Sequence, residues 1–216
     1  PTIASTCAAC TSLGIVYHPD GSLREYSFSK IPPNHIFIDT EIIAKAPYQY
    51  LWAGIGDTYA KYYEATISSR DERLEHFTSL GVALSKMCRD PLLEYGPKAF
   101  ADHKQKLCTY DVEQVILAIV VTTGIASIFL TKDFTPDYNS GLAHAVFYAL
   151  TSYPVIEEKH LHGEVVGFGV LLLLLVDGQM EEFKKIYQLN KDLKLPVSLE
   201  EIEITKEQWQ ESMTRI

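Results

Sequence analysis

The sequence predicts a mainly α fold, a helical bundle preceded by a short β segment. Three observations predict it. Strand-length, β-prone runs occur only before Asp39. From there on apolar residues recur at helical spacing. Proline or glycine then cuts that stretch into helix-length pieces. With 216 residues, 47% of them hydrophobic, the chain can fill one large core.

Taken in order, residues 13–17 and 22–28 are β-prone runs. They flank His18-Pro19-Asp20-Gly21, whose Pro-Asp-Gly is turn chemistry. Pro32-Pro33 breaks the chain, and 35–38 reads as a third short strand. Helices are expected near 41–46, 49–66, 72–90, 92–107, 111–131, 140–152, 163–177 and 179–191. Pro47, Pro91, Pro136, Pro154 and Gly178 separate several of them. Thr205 and Gln208 form a T-x-x-Q capping box, which opens one more helix with room to continue past Ile216. The chain begins at Pro1 without Met, so a piece of a longer enzyme is expected.

A net charge of −9 disfavours nucleic acid as a partner, because phosphate binding wants a basic face. It fits a cytoplasmic protein. Four cysteines are too few for a disulfide scaffold at this length. Cys7-Ala-Ala-Cys10 has C-x-x-C spacing but no complementary pair, so neither a zinc site nor a disulfide is expected there. The run 115–130 is long and apolar but carries Thr122, Thr123, Gly124 and Ser127, and 165–176 is short for a bilayer. Both read as buried helices, and no membrane partner is expected.

Three residues stand out as metal-ligand candidates. His144 lies inside a helix, and His162 lies at the entry of the next long apolar helix. Asp57 follows Gly54 and Gly56, which admit another backbone or a ligand. Two imidazoles and a carboxylate suit a divalent metal with an open position. The bland alternative is a pair of ordinary helix histidines and a capping Asp57. His160, Glu64 and Lys61 read as supporting or solvated residues around such a site.

Five segments then occur in order: Pro1-Thr-Ile-Ala-Ser-Thr6, Ile42-Ile-Ala-Lys-Ala-Pro47, Ala53-Gly-Ile-Gly-Asp57, Ala143-His-Ala145 and Leu161-His-Gly163. Together they resemble the iron-containing alcohol dehydrogenase superfamily, in its glycerol dehydrogenase branch, from Pro1 to roughly Ile204. The resemblance implies that residues 1–47 end a Rossmann-like nucleotide-binding domain that is otherwise absent. Residues 48–216 would be the helical metal-binding catalytic domain, truncated at its C-terminus. It assigns the metal to Asp57, His144 and His162, with zinc first and Fe(II) second. It places NAD or NADP against Thr2, Ile3, Ala4, Ser5, Thr11, Leu13 and Tyr17. A homo-oligomer acting on a small alcohol, polyol or 2-oxo acid is expected.

Two departures bear on substrate. Glycerol dehydrogenases usually carry Asp at the position of Cys7, whereas Thr6-Cys-Ala-Ala9 is similar to hydroxycarboxylate dehydrogenases that reduce 2-oxo acids. Phe147 stands where the family commonly has His, and it cannot relay a proton. The expected substrate is therefore a 2-hydroxy or 2-oxo acid, with glycerol or another polyol as the alternative. A non-catalytic helical binding module is the remaining reading. In the expected mechanism the metal acts as a Lewis acid on the substrate oxygen while hydride passes to or from the nicotinamide.

Overall fold

A computed structural model describes residues 1–19, 23–131 and 138–214. Strands β1 (Leu13–Tyr17) and β2 (Leu23–Phe28) form an antiparallel hairpin, with Leu13 opposite Phe28 and an irregularity between Val16 and Tyr17. Asp20 and Gly21 of the expected Pro-Asp-Gly turn, and the expected break at Pro136, lie outside the described residues.

The expected strand at 35–38 is not formed. Phe37 is exposed, and no neighbouring strand among the described residues offers its backbone a ladder. Instead the chain runs to Asp39, whose carboxylate accepts from the Ile42 N–H and caps α1 (Thr40–Lys45).

Helix α2 (Tyr48–Ser68) is the central element and carries Asp57, Lys61 and Glu64. Helix α3 (His76–Lys104) corrects the expectation of two helices broken at Pro91. Pro91 and Pro97 both lie inside it. Each removes one backbone donor. Yet Gly81, Ser85, Cys88, Leu92, Gly96, Ala99 and His103 keep one buried stripe running through both prolines. Tertiary burial of that stripe overrides the local break.

The next run contains α4 (Tyr110–Leu117), a π-helical turn (Ala118–Thr122) and α5 (Thr123–Phe129). By length and composition it is apolar enough to cross a bilayer. Here Val112, Val115, Ile116, Ile119 and Val120 are buried in the core. The π turn adds a residue to the helical ladder, and Thr123 Oγ1 donates to the Ala118 carbonyl at 2.9 Å.

After α6 (Leu142–Leu150) comes α7 (Pro154–Lys159), absent from the sequence reading. Pro154 opens this helix instead of merely ending the one before, as proline's fixed φ allows at a first turn. Helix α8 (His162–Val176) is apolar all round and accordingly buried, packed among α2, α6 and α9 (Met180–Leu193). The predicted capping box opens α10 (Lys206–Met213), with Gln208 N–H donating to Thr205 Oγ1.

The crossing of α2 with α8 positions the site. A Cβ on Gly56 would overlap the Gly163 carbonyl oxygen, and one on Gly163 would overlap the Ala53 carbonyl. Glycine at both positions lets the two backbones touch. This contact sets His162, the first residue of α8, beside Asp57.

Candidate metal centre

Asp57, His144 and His162 arrive from three different helices and meet. Asp57 Oδ1 lies 3.3 Å from His144 Nε2 and 3.4 Å from His162 Nε2. One ligand atom from each residue falls within 4.8 Å of the others. Metal–ligand bonds of roughly 2.0–2.2 Å around a common centre require separations of this order. The three side chains can therefore hold a divalent ion.

Glu64 fixes which nitrogen of His144 faces that centre. Its side chain is fully buried, two turns along α2 from Asp57. One oxygen accepts from the Gly141 N–H at 2.8 Å and from the His144 N–H at 3.0 Å. The other pairs with His144 Nδ1 at 2.7 Å. A carboxylate accepts only, so Nδ1 carries the proton and Nε2 presents its lone pair to the centre when the ring is neutral. Of the two roles expected for Glu64, supporting or solvated, the structure gives it the supporting one; its spacing of seven from Asp57 puts it on the same helix face.

His162 is held differently. Its Nδ1 is buried without a hydrogen-bond partner among the described residues. The Phe147 ring meets it edge-on, with centroids 4.4 Å apart. Phe147 is thus buried behind His162, and Tyr148 supplies the cleft wall on that helix. His160, two residues away, turns to Glu164 at 2.8 Å, outside the set.

The charges are mutually supporting. Burial alone would raise the Asp57 carboxyl, but the hydrogen bonds and charges of His144 and His162 hold it far below the usual carboxylate range. Burial would lower His144, yet Glu64 and Asp57 outweigh it and raise that imidazole to about 10. A site that favours a proton this strongly between two carboxylates also favours a cation that displaces it.

These residues line one wall of a cleft of ≈ 330 Å³, scaled to a small molecule. Thr6, Cys7 and Ala8 face it from the N-terminal segment, and Thr11 and Leu13 from the start of the hairpin. Burial pushes the Cys7 thiol up to about 12, so it is protonated and uncharged at neutral pH. Cys10 is a free thiol in the core, its side chain against Gly124. Of the expected cofactor loop, Thr2 is exposed, Ile3 and Ser5 are half-buried, and Ala4 is buried with its carbonyl against Gly54. Tyr17 lies on β1, its side chain outside the described atoms. Lys61, expected near the metal site, also lines the cleft, together with Thr123, Ser127 and Asn139, which nothing in the sequence marks out.

No protein-family profile matches the chain. Individual relatives do. Glycerol dehydrogenase of Thermotoga maritima is 36% identical over 213 residues, which are 94% of this chain and 54% of that protein. Hydroxycarboxylate dehydrogenase A of Escherichia coli is 35% identical over 94% of this chain and 55% of its own length. The crystal structure of glycerol dehydrogenase from Schizosaccharomyces pombe superposes with a TM-score of 0.81 at 31% identity, covering 95% of this chain and 52% of that one. The chain spans about half the length of the relatives it matches. A shared helical architecture over nearly the whole chain, with identities above 30%, places it in the glycerol dehydrogenase family of the iron-containing alcohol dehydrogenase superfamily, as the helical C-terminal part of its members.

Proposed function

We propose that this chain is the metal-binding half of an NAD(P)-dependent dehydrogenase that acts on small hydroxy compounds. The convergence of Asp57, His144 and His162 on one cleft wall carries the reading. Zinc is the first choice of ion and Fe(II) the second, since imidazole and carboxylate suit both. When bound, the ion supplies Lewis acidity toward the reacting hydroxyl or carbonyl.

The chain's own residues do the rest. Glu64 holds the proton on His144 Nδ1, so the ligand nitrogen stays bare. Phe147 keeps the His162 ring in place from behind. The hairpin and N-terminal segment close the opposite wall, where residues 1–47 serve as the end of a nucleotide-binding domain. Thr11 and Leu13 line the cleft on the side where a nicotinamide would lie. Ala4 is buried backbone and all, so contact with a cofactor would fall to its half-buried neighbours Ile3 and Ser5.

Glycerol or a related polyol is the first substrate reading, because glycerol dehydrogenases stand among the relatives most similar to this chain. A second reading, a 2-hydroxy or 2-oxo acid, is favoured by one observation. Cys7 stands in the cleft wall as an uncharged thiol and offers a polyol hydroxyl no carboxylate acceptor.

The test uses the complete enzyme, stripped with a chelator and reloaded with zinc or Fe(II). Cofactor reduction by glycerol or a hydroxy acid should vanish on stripping and return on reloading. Asp57→Asn should lower the bound metal well below one ion per chain. Full activity without metal, or unchanged metal content in that variant, would overturn the proposal.

A further inference from the structure

Lys61 is a buried cation in the cleft that the metal centre does not use. It lies one helical turn beyond Asp57, on the same face of α2 and about 6 Å further along the helix axis. The residue is only 7% exposed. Its ammonium donates to the Asn139 carbonyl at 2.6 Å and to Asn139 Oδ1 at 2.9 Å. Both acceptors are neutral. Among the described residues no carboxylate lies within ion-pair distance of Lys61, although buried ammonium groups ordinarily have one.

The two acidic residues on the same stripe are already committed. Asp57 faces both imidazoles, and Glu64 accepts three hydrogen bonds from Gly141 and His144. In charge terms, Asp57 and Glu64 would balance one bound divalent cation, and the Lys61 charge, which also acts on Glu64, would be left over. Cys7, across the cleft, is close enough for the Lys61 charge to lower its thiol against the effect of burial. The Lys61 charge therefore acts inside the cleft that both residues line.

We propose that Lys61 is the anion-recognising residue of this cleft, and that the substrate is a small hydroxy acid whose carboxylate pairs with it. An ammonium with three donors can keep both Asn139 bonds and give the third to a carboxylate. A molecule with its hydroxyl at the metal centre and its carboxylate on the adjacent carbon reaches along α2 toward Lys61. The uncharged Cys7 is consistent with this, since an acid at that position would repel the same carboxylate. The inference rests on the dehydrogenase reading above and decides between its two substrate classes.

The experiment compares the complete, metal-loaded wild type with Lys61→Met and Lys61→Arg, using lactate or glycerate against glycerol. The ratio of kcat/KM for the acid over that for glycerol should fall at least ten-fold in Lys61→Met and recover in part in Lys61→Arg. The Kd of oxamate, a non-reacting carboxylate measured by calorimetry, should rise by a similar factor in Lys61→Met. Loss of activity on both substrates in equal proportion, with the oxamate Kd unchanged, would show that Lys61 only anchors the Asn139 segment and would overturn the proposal. Wild-type oxidation of glycerol with no activity on either acid would overturn it too, while leaving the dehydrogenase reading intact. Activity on neither class with metal and cofactor present would overturn both.

Discussion

Replacing Glu64 with Gln tests the logic of the centre while changing almost none of its shape. The oxygen that accepts from Gly141 and His144 N–H groups can remain an amide oxygen, so those bonds at 2.8 and 3.0 Å persist. The second oxygen becomes an NH₂ facing His144 Nδ1, now 2.7 Å from an acceptor. Two donors cannot share that contact. The imidazole must either turn away or shift its proton to Nε2, the atom 3.3 Å from Asp57 Oδ1. Either outcome removes the lone pair the metal needs. Loss of such an orienting partner weakens metal binding about 10- to 100-fold. That corresponds to roughly 1.4 to 2.7 kcal/mol. Chelator competition on the zinc-loaded complete enzyme measures it directly. The metal-free Tm at neutral pH should fall as well, because the charged imidazole loses its carboxylate partner even though the two backbone bonds stay. A Glu64→Gln enzyme that holds zinc within two-fold of wild type would refute the assignment of the tautomer to Glu64.

Two further outcomes follow from the same geometry. In the metal-free protein the His144 pKa is raised from 6.5 to about 10, so the charged imidazole contributes stability in full below pH 6.5. That contribution is lost as pH climbs toward 10, so the metal-free Tm should fall across this window, while zinc affinity should rise as the proton leaves. Zinc affinity that stays flat from pH 6.5 to 9 would contradict the pairing with Glu64 and Asp57. Gly163→Ala should destabilise by about 3 kcal/mol in urea titration, since its Cβ meets the Ala53 carbonyl oxygen and backbone must move. It should also reduce metal content, because His162 is the neighbouring residue; a variant with wild-type stability would show that α2 and α8 are not in backbone contact.

Much of the helical half was legible in the sequence because its signals are local. The Thr205–Gln208 box before α10 and the uninterrupted apolar run of α8 each act within a few residues. The three candidate ligands were legible for a different reason. Their short motifs are similar to those of a known family, and spacing alone left an ordinary pair of helix histidines open.

What remained was decided by packing between distant segments. Local chemistry says that Pro91 ends a helix, yet α3 continues because its buried stripe spans both prolines. It says that 35–38 is a strand, yet a strand forms only where another strand can receive its backbone bonds. No periodicity shows that Phe147 backs His162, that Glu64 reaches His144 or that Lys61 opens on the cleft without a carboxylate partner among the described residues. Those contacts join residues up to 80 positions apart. The sequence determined which side chains were on offer and which helix faces they occupied. The backbone contact of Gly56 with Gly163 determined that they would meet, because only a three-dimensional crossing brings the start of α8 against the middle of α2.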